Sequence, residues 1–154
     1  MPKVFDTDDY GLVDRALARE VALVFLRHPM VKRVELFGSV ARQGMGEDLD
    51  LILVADDEHA SDFIAEVQRQ QMKILPCSGY HTTSSCRLDA LRRIFGPAFA
   101  EYLGTAERLT SGTLDIFVFP AGWRSELARL QEDFEHDDPF FMQNVAGDAI
   151  IIAP

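Results

Sequence analysis

The sequence predicts an α+β domain, and three observations predict it. Short apolar runs of strand length (Val31 to Phe37, Leu49 to Ala55 and Leu114 to Phe119) are each followed by turn or helix-opening residues. Longer stretches around them carry apolar residues at helical spacing instead. A length of 154 residues, 47% hydrophobic and 26% charged, fits one globular domain that buries its core without staples. With no repeat, low-complexity tract or linker, residues 1–154 read as a single domain.

The elements follow in chain order. Thr7-Asp8-Asp9 reads as a helix start, its acids suited to the positive end of the helix dipole. From Tyr10 to about His28, Leu12, Val13, Leu17, Val21, Val24 and Phe25 fall near helical spacing, and His28-Pro29 ends the helix. His28 reads as a helix-end residue rather than a ligand, because no partner stands near it in sequence. Val31 to Phe37 is a strand with Val34 and Leu36 on one side and Arg33, Glu35 and Phe37 on the other. Gly38 and Ser39 close it and open a short helix, and a loop from Arg42 to Glu47 leads to the strand Leu49 to Ala55. Asp56 and Asp57 open a helix that runs to about Lys73.

Ile74 to Tyr80 is a break, and His81 to Ser85 a polar loop and helix cap. A further helix is expected over Arg87 to Leu103, ending at Gly104, with Thr105 to Thr113 a connection turning at Gly112. The strand Leu114 to Phe119 stops at Pro120, and Ala121 to Leu130 is a helix. The acidic stretch Glu132 to Asp138 reads as a solvated helix end. Phe140, Phe141 and Met142 are expected to pack on the body, and Asp148 to Ala153 forms a short last strand.

Charge and cysteines narrow the function classes. A formal net charge of −10 argues against broad nucleic-acid binding, which needs clustered Lys and Arg. It is compatible with a metal-assisted nucleotide site, where the cation supplies positive charge locally. Cys77, His81 and Cys86 fit no common zinc spacing and lack an evident fourth ligand, so the cysteines read as reduced thiols. The start MPKVFDTDDY lacks a basic-then-apolar signal and no apolar run reaches membrane-spanning length, so a cytoplasmic protein without a membrane partner is expected.

The chemistry concentrates in Leu36 to Val54, LFGSVARQGMGEDLDLILV. Asp48 and Asp50 stand one residue apart at an apolar strand, so alternation projects both from one side. Adjacent carboxylates repel unless something positive lies between them, and a divalent cation is the usual answer. Gly38 and Ser39 upstream form a turn whose free backbone N–H groups attract phosphate. Asp115 repeats the setting of Asp50, an acid within an apolar strand. Three such acids on neighbouring strands would surround a two-metal site.

The run Phe37-Gly38-Ser39-Val40-Ala41-Arg42, then Asp48-Leu49-Asp50-Leu51, then the later strand aspartate Asp115, resembles the minimal nucleotidyltransferases of the DNA polymerase beta superfamily. The resemblance covers the chain to Phe119 and leaves residues 120–154 unmatched. It implies a small mixed β-sheet with helices packed on one face and the active site on the other. It also implies Mg²⁺-dependent transfer of a nucleoside monophosphate from an NTP, usually ATP, to a hydroxyl, with release of pyrophosphate. Gly38 and Ser39 would hold the β- and γ-phosphates, and Asp48, Asp50 and Asp115 would bind metal, Asp115 favouring deprotonation of the acceptor. Arg42 would pair with phosphate or stand as a surface arginine.

Two positions depart from the family pattern. Eight residues separate Ser39 from Asp48, fewer than most members carry, and Glu47 stands where a serine is usual. Both bear on whether catalysis is retained, and neither removes a metal ligand.

Acceptors compatible with the sequence are a hydroxyl of a protein or of a small molecule, and a homo-oligomer is left open. The alternative is an antitoxin-like partner of a helical toxin, with weak or lost catalysis, as small proteins of this family resemble. The acids around Glu132 to Asp138, with Phe140 and Phe141, would suit that contact.

Overall fold

A computed structural model describes residues 12–71, 91–110, 114–134 and 138–153. The expected helix start at Thr7 to Asp9 lies outside these residues. So do the break and loop from Ile74 to Ser85, both cysteines, and the turn at Gly112.

Two small sheets organise the chain. The larger holds β2 (Arg33–Phe37), β4 (Leu49–Ala55), β5 (Leu114–Pro120) and β6 (Ile150–Ala153), in the order β5-β4-β2-β6. β4 and β5 are parallel, with Leu49 opposite Leu114 and Ala55 opposite Pro120, while β2 runs antiparallel to both β4 and β6. The smaller sheet pairs β1 (Val13–Asp14) with β3 (Met45–Gly46). The class is therefore mixed α+β.

The parallel pair requires a long crossover. It contains α3 (Asp57–Gln71), a helical turn at 91–95 and α4 (Pro97–Thr110). The expected helix ending at Gly104 is instead interrupted at Gly96, where φ is +91°, a backbone that side-chain-bearing residues rarely adopt. Pro97 then opens α4, as proline suits a first helical turn, and the helix passes through Gly104 to Thr110. Packing overrides the glycine there: Leu103 and Ala106 on either side are fully buried.

The first helix also differs in its start. Val13 and Asp14 are strand, and α1 covers Arg15–Phe25. Asp14 is the N-cap, its carboxylate accepting from the Leu17 N–H at 2.8 Å. Beyond Phe25 the chain turns, and His28 is buried rather than a helix-end residue. Its Nδ1 accepts from the Met30 N–H at 3.1 Å, which leaves Nε2 to donate to the Phe95 carbonyl at 3.0 Å.

Beyond β5 the chain forms a 3-10 turn, Trp123–Ser125, then α5 (Leu127–Phe134) and α6 (Phe141–Asp148), rather than one helix from Ala121. Pro120 lies inside β5, which tolerates its missing N–H because β5 is an edge strand. Asp148 ends α6, so the last strand starts at Ile150. Met142 is buried and Phe141 packs inward, while Phe140 is 60% exposed, contrary to the expectation that all three pack on the body.

The helices cover both faces, which differs from the one-sided arrangement the resemblance implies. Phe117 of β5 meets Phe63 of α3, Phe134 of α5 and Phe141 of α6 on one face. The opposite face, with Leu36, Leu51, Leu53, Ile116 and Val118, is buried too. Beside it, α1 touches β2, β4 and β6 and α4 touches β5, the two helices joined by the rings of Phe25 and Phe99 at 5.4 Å, while α2 (Ser39–Gln43) touches β2 and β4 next to the Gly-Ser turn. The physical reason lies in β4 and β5: both strands are apolar on each side, and a sheet buried on both faces needs two helical layers. Among the described residues no helix is long and apolar enough to cross a membrane.

Candidate functional site

One row of residues crosses three strands at one end of the large sheet. Phe37, the last residue of β2, pairs with Asp50, the second of β4, and Asp50 pairs with Asp115, the second of β5. Residues paired across neighbouring strands project to the same face, with strands about 4.8 Å apart. Asp50 and Asp115 are therefore side by side, each partly exposed, while Leu49 and Leu114 beside them are buried. The face that carries the two acids becomes apolar two residues further on, at Ile52 and Phe117.

Asp48 is placed differently. It lies in a bend, exposed, one residue before β4 begins, and Glu47 beside it is exposed as well. The strand alternation expected to align Asp48 with Asp50 thus does not extend to Asp48, because the chain is still turning out of β3. Among the described residues no three His, Cys, Asp or Glu side chains gather into a group that could hold a metal ion. The adjacent pair Asp50 and Asp115 offers hard oxygen donors of the kind Mg²⁺ takes, and two neighbouring carboxylates favour a cation between them. Asp48 stands at the same end, outside any such closed set.

The Gly-Ser turn is built against these acids. Gly38 has φ +81°, and a Cβ there would stand 2.3 Å from Asp50 Oδ2. The backbone therefore favours glycine, and a side chain there would have to displace the Asp50 carboxylate, whose close approach the glycine permits. Ser39 opens α2 (Ser39–Gln43). Its hydroxyl lies against Gly46 of β3, where a Cβ would come within 2.2 Å of Ser39 Oγ. The loop expected between turn and strand is thus partly a ribbon, folded back by the pairing of Val13 with Gly46.

Arginines brace this corner. Arg15 donates from Nε to the Val40 carbonyl at 3.2 Å and from Nη2 to the Ala41 carbonyl, fixing α2 to the start of α1. Arg42 donates to Asp148 Oδ2 at 2.6 Å, its side chain 52% exposed. Of the two readings of Arg42, the structure gives it a carboxylate partner at the surface.

Behind the row, Glu35 is fully buried on the same face as Phe37. It accepts from Arg33 at 2.9 Å, from Trp123 Nε1 at 3.3 Å and from Arg124 at 2.6 and 3.3 Å. Burial alone would raise its pKa. The hydrogen bonds from Arg124, Arg33 and Trp123 outweigh burial and hold the carboxyl below its ordinary range. Arg124 also lies 4.4 Å over the Trp123 ring. At the opposite end of β4, Asp56 takes the His59 backbone N–H and ring Nδ1, which lower its pKa, in that order of effect. That pair caps α3, far along the strand from Asp50.

The sequence reading missed Arg15, Gly46, Glu35 and Asp148. Glu35 carried a signal, since an acid alternating inward with Phe37 must find partners when buried. The other three are set by contacts between segments distant in sequence. A scan against models of known protein families finds no match to this chain, and a search of curated proteins finds no relative.

Proposed function

We propose that the chain is a Mg²⁺-dependent nucleotidyltransferase of the cytoplasm, moving a nucleoside monophosphate, AMP from ATP, onto a hydroxyl of a protein or small molecule, with the Pα–O–Pβ bond broken and pyrophosphate released. The single observation that carries this reading is the register of Asp50 with Asp115, beside a glycine that admits the Asp50 carboxylate. Asp50 and Asp115 would hold Mg²⁺, with Asp48 joining from the bend. The metal would supply charge neutralisation at the phosphates and acidify the acceptor hydroxyl. Asp115, next to the acceptor, would receive that hydroxyl's proton. Gly38 and Ser39 would seat the β- and γ-phosphates, with the Ser39 hydroxyl as donor.

The test is calorimetric titration of a non-hydrolysable ATP analogue with and without Mg²⁺. Wild-type protein is expected to bind only with Mg²⁺, and Asp50→Asn with Asp115→Asn to lose that binding while keeping the same thermal melt. Equal binding by the double variant would refute the assignment.

A further inference from the structure

Arg42 and Asp148 are 106 positions apart in sequence, yet they meet at 2.6 Å. The route that joins them borders the acidic row. α6 begins at Phe141, whose ring lies 6.3 Å from that of Phe37 and 5.5 Å from that of Phe117. Phe37 is the register partner of Asp50, and Phe117 follows Asp115 on the same face. α6 ends at Asp148, and two residues later Ile150 pairs with Leu36, the neighbour of Phe37. The helix therefore runs along the edge of the candidate site and delivers a carboxylate to its rim.

Arg42 sits one turn after Ser39 on α2, at i+3, and so on the adjoining helix face. A guanidinium binds carboxylate and phosphate oxygens with the same fork of donors. Arg15, the other arginine of this corner, is engaged by the Val40 and Ala41 carbonyls, a neutral pairing that an anion has no reason to displace. Arg42 instead holds an anion already, in a pair whose arginine is half in water and hence weak enough to exchange.

We propose that Asp148 is a built-in stand-in for substrate phosphate: it holds Arg42 when no nucleotide is bound and yields it to the polyphosphate that enters beside Gly38 and Ser39. The carboxylate thereby lowers nucleotide affinity, and its release couples occupancy of the site to the α6–β6 segment. The inference rests on the nucleotide reading of the site given above.

The experiment titrates Mg²⁺–ATP analogue, and separately Mg²⁺–tripolyphosphate, into the full chain as wild type, Asp148→Asn, Arg42→Ala and the double variant. Asp148→Asn is expected to bind both probes more tightly, by up to about fivefold, the upper end of what a surface ion pair contributes. Arg42→Ala is expected to bind more weakly, and Asp148→Asn to add nothing in its background. Amide exchange over residues 145–153 is expected to quicken when the analogue binds wild type. Unchanged or weaker binding by Asp148→Asn overturns the proposal. So does an equal gain in the Arg42→Ala background, which would mark general charge relief, or exchange unaltered by bound analogue. If wild type binds the analogue and Arg42→Ala binds it equally well, only this inference falls. If no variant binds either probe, the nucleotide reading falls and takes this inference with it.

Discussion

Gly38 shows how much a single residue decides at this corner. Its positive φ disfavours other residues on backbone grounds, and the missing side chain leaves room for Asp50 Oδ2. Gly38→Ala is expected to cost about 1–3 kcal/mol of stability through backbone strain. It is also expected to turn the Asp50 carboxylate out of its place, abolishing Mg²⁺-dependent binding of the ATP analogue. Urea denaturation and calorimetry together check this. A variant with wild-type affinity would show that the Asp50–Gly38 contact is incidental to binding. At this scale the sequence was partly legible. The Gly-Ser turn and the acids were visible, but the close approach of the Asp50 carboxylate to Gly38 was not.

At the scale of elements, strands were easier to read than helices. β4 occupies the Leu49 to Ala55 expected from its apolar run, since a strand buried on both faces leaves an uninterrupted pattern. The helices shifted wherever an end depended on one cap or break. Asp14, rather than the acids before Tyr10, caps α1, and Gly96 rather than Gly104 breaks the second half of the crossover. The side-chain cap predicts that Asp14→Ala loses about 1 kcal/mol, measured as a lower urea midpoint with unchanged slope. Because α1 carries Arg15 into α2, loss of that cap is also expected to loosen the Gly-Ser corner.

For the molecule as a whole, Glu35 ties the centre of the sheet to the part of the chain after β5. Trp123 and Arg124 reach back 88 and 89 positions to it, and Arg124 also approaches the Ala149 carbonyl at 3.5 Å. Its folded pKa lies below the ordinary glutamate value of about 4.5, so the unfolded chain binds the proton more readily. The stability it contributes is therefore fully present above about 4.5 and is lost as pH falls through the lower folded value. Urea midpoints are expected to drop steeply below that pH, and Glu35→Gln to flatten the drop. At neutral pH that variant is expected to be about 2–3 kcal/mol less stable, because two arginines lose a charged acceptor. An acid limb identical in Glu35→Gln and wild type would remove Glu35 from the account.

By itself the sequence determined the mixture of strands and helices, the span of the central strand, and which acids and glycine accompany the strands. These follow from local pattern: alternation, apolar runs and the backbone demands of particular residues. Only the tertiary structure decided that Asp50 and Asp115 share a register while Asp48 lies in a bend, that helices cover both faces, and that Asp148 meets Arg42. Those outcomes depend on contacts between segments far apart in the chain, whose pairing is fixed by packing and strand registration and leaves no periodic trace in the residues themselves.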